Sequence, residues 1–335
     1  MSTRKDTIFG WILQQLPSFL LRSLLALALL GLLYWQLASR EQWASGDFWS
    51  RAWAGATSWW YLAAVVVLLP LNWGVEVLKW LPLMRSAGSG ISLRRAWAAV
   101  LAGATVSMFT PNRVGEYAGR LLWVDARHRA WAVVATLLGS LAQWGVLLAG
   151  GALALLYWYF AGKIAFAPLS AGLLALLLLA VGATVLVLYL RLTAVVDWLM
   201  RFGFWARRLA TLRGQLAECA ERARADGWVW AMAAARYAVY TAQYALMLMF
   251  WGLPLSALDL LSLVAIIYLL QTGLPLPPST GLIARGNIAL FVAAVLLPDA
   301  YASAVLSATF SLWCINVFLP AAAGAALLLL RLLRR

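Results

Sequence analysis

Residues 96–120 read AWAAVLAGATVSMFTPNRVGEYAGR, and the placement of this stretch decides the fold. Its first part, 96–109, is apolar for little more than half of a bilayer-crossing helix, which takes about 20 residues. It then meets Thr110-Pro111-Asn112, a helix breaker, and restarts with charges at Arg113, Glu116 and Arg120. Arg94 and Arg95 precede it, and Arg127 and Arg129 follow. A half-length helix with positive charge at both ends predicts a hairpin that enters and leaves on one side of a membrane.

The rest of the chain supports a membrane setting. Apolar residues make up 64% of the 335 and charged residues 11%, against about 45–50% and 25% in soluble domains. Mean hydropathy is +0.85. Such a chain lacks the polar surface of a soluble fold, a disordered segment or a secreted disulfide scaffold. The 26 basic residues outnumber the 12 acidic ones, for a net charge of +14. With no nucleic-acid-binding signature beside it, this excess reads as a topology signal, since cytoplasmic loops collect Arg and Lys and attract anionic headgroups. Only Lys5, Lys79 and Lys163 are lysines. Cys219 and Cys314 fit no metal or redox spacing, and His128 is the only histidine, so no metal, cofactor or Ser-His-Asp triad is expected.

Outward from the first broken stretch, 18–38 reads as a first crossing rather than a signal peptide, because it ends in the interfacial anchor Tyr34-Trp35-Gln36. The charge-balanced loop 39–58 lies outside. A second crossing, 59–83, carries Asn72, Glu76 and Lys79 near its far end. Residues 131–160 and 167–190 cross out and back around Lys163. Then 191–226, with seven Arg against four acids, reads as a cytoplasmic amphipathic segment. Residues 228–251 cross with Arg236 in their first third, and 302–330 cross to the basic tail.

Between these last two lies a second broken region, 255–298. Its apolar piece 255–272 runs into GLPLPPSTG at 273–281, where Pro275, Pro277 and Pro278 forbid regular helix. Arg285 follows, and the next apolar piece, 287–297, is too short to span. The expected fold is therefore an all-α polytopic membrane protein, a single integral domain over 1–335. It has six full crossings and two re-entrant hairpins (96–129 and 255–298) of opposite orientation, and both termini are cytoplasmic. Broken helices in corresponding halves are the signature of inverted-repeat transporters and mark their substrate site.

The candidate site follows from the cost of charge at bilayer depth, about 3 kcal/mol or more, which favours pairing or a wet cavity. Arg113, Glu116 and Arg120 share one face of the restarted helix, while Pro111 breaks the chain and Gly115 allows close backbone approach. This cluster leaves net positive charge to meet an anion; the plainer alternative is a charge signal at the membrane surface. Ser279 and Thr280 offer hydroxyls and amides. Arg285 needs an anionic partner, either a headgroup or a carboxylate such as Glu116 or Glu76. Arg236 is a further binding candidate, with an interfacial snorkel as its alternative. Glu76 and Lys79, three apart with Asn72 one turn earlier, read as either packing or a coupling element.

At these residues the chain resembles the lysylphosphatidylglycerol synthase transmembrane-region family, the flippase-like membrane proteins, over nearly its whole length. The most specific part is P-x-R-x-G-E-x-x-x-R over 111–120; Asn72, Glu76 and Lys79-Trp80 resemble the family more weakly. The second family motif ends G-x-R-E, and here Arg285 aligns while Gly286 stands where Glu is common. The resemblance implies an inner-membrane protein that moves lipids between leaflets. The soluble aminoacyl-transferase domain of bifunctional members is not expected, since the longest loop has about 36 residues. The function expected is a non-enzymatic, flippase-like translocase of an anionic phospholipid or polyprenyl-phosphate-linked lipid in a bacterial cytoplasmic membrane. The alternatives are a glycosyl- or acyl-transferase acting on a lipid carrier, and a non-transporting partner of a separate lipid-modifying enzyme. Membrane lipids are the expected partners, and nucleic acid is not.

Overall fold

The computed structural model describes residues 56–110, 113–164, 168–191, 227–272, 277–278 and 281–333, with single positions at Trp53, Ala194, Gly214, Ala217, Glu218 and Glu221. The expected first crossing (18–38) and nearly all of the amphipathic segment (191–226) lie outside the described residues. Helix accounts for 84% of the structure, and among the described residues there is no strand. The apolar runs become α1 (Trp59–Ser86), α2 (Leu93–Ser107), α3 (Gly115–Leu121), α4 (Arg129–Phe160), α5 (Pro168–Leu190), α6 (Trp228–Phe250), α7 (Ala257–Thr272), α8 (Gly281–Ala293), α9 (Ala302–Trp313) and α10 (Leu319–Leu333).

Among the described residues, three helices are long and apolar enough to cross a membrane: α1, the α4 helix counted from Ala126, and the helix Asp299–Leu333 that joins α9 to α10. In the last, Cys314–Phe318 adopt one π-turn, a local widening that re-aims side chains without ending the helix. The expected crossing over 302–330 falls within this helix. α1 keeps its course through Pro70 and Pro82. With 15 residues, α2 is about 22 Å long, short of a hydrocarbon core of about 30 Å.

Both interrupted regions are helix–break–helix units whose arms pack on each other. In the first, small residues set the approach. A Cβ at Gly119 would lie 2.4 Å from the Ala102 carbonyl oxygen, and one at Gly115 would lie 2.5 Å from that of Val106. Only hydrogen fits at either crossing point, the same logic that places small residues between membrane helices. In the second unit, α8 starts at Gly281, six residues before the expected apolar piece, because Ala284 and Gly286 extend the buried face past Arg285. Arg285 is therefore a helical residue rather than part of the preceding loop.

The packing pattern is paired. α1 packs on α6; α2 packs on α10 while α7 packs on α4; α3 packs on α4 while α8 packs on α9. Exchanging α1 with α6, α2/α3 with α7/α8, and α4 with α9–α10 maps these neighbours onto one another. Among the described residues, two apolar clusters form the core. One joins α7, α8 and α9 to the ends of α4 and α6 around Trp158, Phe250 and Leu263. The other joins α1 and α2 to the starts of α4 and α6 around Trp80, Leu138 and Val77.

Candidate functional site

The charges on α1 meet those on α3 and α6 around one carboxylate. Glu76 is 4% exposed and takes three cations. Its Oε1 accepts from Arg120 Nη2 at 2.7 Å, and its Oε2 accepts from Arg236 Nη1 at 2.7 Å and from Lys79 Nζ at 2.6 Å. Arg120, 1% exposed, also donates to Glu116 Oε1, and Arg113 Nη2 lies 3.3 Å from Glu116 Oε2. Trp80 sits 5.4 Å from the Arg120 guanidinium, and Trp73 the same distance from that of Arg236, so aromatic faces cover both cations. Buried charge survives in apolar surroundings only when paired and hydrogen-bonded, and this chain of contacts meets that condition. Two carboxylates face four cations, so the network keeps a net positive charge.

A polar thread runs on from this hub along α6. Asn72 Oδ1 accepts from Arg236 Nε at 3.2 Å, and Asn72 Nδ2 donates to Gln243 Oε1 at 3.0 Å. Asn316, in the π-turn, donates to the same Gln243 oxygen at 2.9 Å, while Gln243 Nε2 donates to the Val65 carbonyl at 2.9 Å. Sequence reasoning missed Gln243 and Asn316. The signal was a lone amide within an apolar helix, which at membrane depth needs partners.

Beside the hub lies a cavity of about 290 Å³, bounded by α1, α2, α4, α6, α7, α8 and α9. Arg113, Arg236 and Arg285 all line it, and among the described lining residues there is no carboxylate. Tyr240, Tyr244 and Tyr268 form one wall, with ring centroids 4.9 Å apart for Tyr240–Tyr268 and 5.7 Å for Tyr244–Tyr268, both edge-on. Gln143, Gln271 and Asn316 add amides.

The expected site residues divide here. Arg113, Arg236, Arg285 and Asn72 reach the cavity. Arg236 is 9% exposed and paired, so the interfacial-snorkel alternative does not describe it. Arg120, expected to grip phosphate, does not line the cavity, because both of its carboxylate partners hold it behind the wall. Glu116 and Lys79 lie behind it too, and Gly115 serves the α2–α3 crossing. The expected carboxylate partner of Arg285 is not found: among the described residues it makes no ion pair, and Gln271 Oε1 lies 3.5 Å from its Nη1. Glu76 and Glu116 are already committed to nearer cations. Pro111, Ser279 and Thr280 lie outside the described residues. At Gly286, a Cβ would come 3.1 Å from the Leu306 side chain, so α9 lies close to this turn of α8.

Compared with known proteins, the chain matches no family model, no curated protein and no solved structure.

Proposed function

We propose that the chain is a lipid translocase with no catalytic chemistry of its own. It moves an anionic phospholipid or a polyprenyl-phosphate-linked lipid between the leaflets of a bacterial cytoplasmic membrane. One observation carries this reading: guanidinium groups from both broken regions, Arg113 and Arg285, line a single cavity with Arg236, and no carboxylate shares the described lining. A planar guanidinium is the preferred fork for phosphate, and a cavity of about 290 Å³ suits a headgroup whose acyl chains stay in lipid. The paired packing of the two halves supports an internal repeat with its site at the repeat interface; six crossings and cytoplasmic termini belong to the same proposal and rest on the sequence pattern. The resemblance carried by 111–120 and Arg285 supports the same class.

In this mechanism Arg113, Arg236 and Arg285 hold the phosphate. Glu76 and Glu116 orient Arg236 and Arg113 from behind, and Arg120 ties the two carboxylates together. Glu116 exchanges its hold on Arg113, whose side chain is 44% exposed, as the headgroup arrives and leaves.

The test is reconstitution into vesicles with labelled anionic lipid. Wild-type protein is expected to equilibrate the label between leaflets, and Arg113→Ala/Arg285→Ala protein to do so at the protein-free rate. Equal lipid movement by the two proteins would defeat the proposed site.

A further inference from the structure

A second basic groove lies apart from the central cavity, where the start of α2, the α3–α4 turn and the end of α10 meet. It has a volume of about 650 Å³ and is lined by Arg95, Arg129 and Arg331, with Asp125 as its one carboxylate among the described lining residues. The three guanidiniums come from three different elements, so the groove exists only in the folded bundle. Arg331 is held in place: its guanidinium lies 4.6 Å from the Trp123 ring centroid, and its Nη1 donates to the Leu122 carbonyl. A guanidinium has five N–H donors, so the remaining ones stay available to a ligand.

The walls are as informative as the charges. Leu122 and Leu330 line the groove and are 48% and 50% exposed, and Leu327 joins them. Cations beside exposed leucines reproduce the boundary between lipid headgroups and acyl chains, where basic side chains meet anionic lipid at about 1 kcal/mol each. A soluble phosphate would use the arginines and leave the leucines in water.

We propose that this groove is a peripheral site for the phosphate of an anionic membrane lipid, with Arg95, Arg129 and Arg331 on the headgroup and Leu122, Leu327 and Leu330 against the first carbons of its chains. The site does not depend on lipid movement by the central cavity. It holds anionic lipid from the leaflet at this end of the bundle, which raises the local supply around the protein.

Photo-crosslinking of the full chain in nanodiscs tests this. Benzoylphenylalanine replaces Leu330, the bilayer is phosphatidylcholine doped with phosphatidylglycerol, and lipid adducts are read by mass spectrometry. Wild-type lining is expected to enrich phosphatidylglycerol adducts beyond their share of the bilayer. Arg95→Gln/Arg129→Gln/Arg331→Gln is expected to lower that enrichment by about tenfold or more, and Arg331→Gln alone by about threefold to fivefold. Arg285→Gln, in the other cavity, leaves it unchanged. Adducts in proportion to bilayer composition, or enrichment that survives the triple change, would overturn the proposal. So would displacement of phosphatidylglycerol by inorganic phosphate but not by chloride at equal ionic strength, which would assign the groove to a free anion. A melting profile of the triple variant matching the wild type keeps loss of enrichment distinct from loss of fold.

Discussion

The two broken regions bring arginine to one cavity in opposite ways. In the first, Arg113 and Arg120 each have a carboxylate: both on Glu116, and Arg120 again on Glu76. In the second, Arg285 has only the Gln271 amide at 3.5 Å among the described residues. The first region is a braced structure whose charges hold helices together. The second presents a charge whose counter-ion has to come from elsewhere. Two arginines that look alike in sequence thus divide into Arg120, buried between two carboxylates, and Arg285, lining the cavity without one among the described residues.

Breaking the braced half has the largest expected effect. Glu76→Ala strands Lys79, Arg120 and Arg236 without their shared carboxylate, and removing one partner from a buried ion pair costs about 3–5 kcal/mol. The expected result is little folded protein, read as a lost or strongly lowered thermal transition in detergent. A near-normal transition would mean that the three cations are compensated from outside the hub.

The backbone crossings sharpen the contrast at a smaller scale. Gly119→Val drives a side chain into the Ala102 carbonyl 2.4 Å away and should cost about 1–3 kcal/mol or more by overpacking. In the second region, Gly286→Ala meets only the end of the Leu306 side chain at 3.1 Å and should cost under about 1 kcal/mol. Chemical denaturation of the two variants checks this order. Equal costs would show that both regions are packed alike.

Arg285→Gln and Arg120→Gln separate stability from activity. Arg285→Gln should change stability by less than about 0.5 kcal/mol while abolishing lipid movement in vesicles. Arg120→Gln should lower stability, because it leaves Glu76 and Glu116 short of a cation. If Arg285→Gln protein unfolds early instead, the second region is as braced as the first.

The weakest effect lies at the far end of α4, where Lys163 donates to Asp259. That hydrogen bond raises the Lys163 ammonium above its ordinary 10.5. Its contribution is therefore complete from neutral pH up to 10.5 and fades as pH climbs through the raised folded value. A partly solvated pair of this kind is worth under about 1 kcal/mol. Asp259→Asn should remove this alkaline dependence from the melting profile while leaving the neutral-pH transition nearly in place.

Much of this architecture was legible in the residues. Thr110-Pro111-Asn112 and the three prolines at 275, 277 and 278 interrupt an apolar pattern in the sequence itself, and a charge such as Arg285 amid apolar residues demands an explanation wherever it lies. The pairing of Glu76 with Lys79 followed from helical spacing alone. The division of labour among the arginines was not legible, because it depends on which way each helix is rotated. Contacts distant in sequence set that rotation, such as Gly324 of α10 against the Leu101 carbonyl and Thr105 donating to the Ala321 carbonyl at 2.7 Å. The same rotation turns Arg120 away from the cavity and brings Gln243 to Asn72 and Asn316, amides that local sequence gave no reason to join.

In the proposed mechanism the cavity grips phosphate through arginines drawn from both broken regions. The most direct test is a density map of the protein in nanodiscs rich in phosphatidylglycerol. The expected map shows a lipid phosphate within hydrogen-bonding distance of both Arg113 and Arg285, with its acyl chains leaving between helices. A cavity filled by acyl chain alone, or Arg285 turned onto a protein carboxylate, would contradict it.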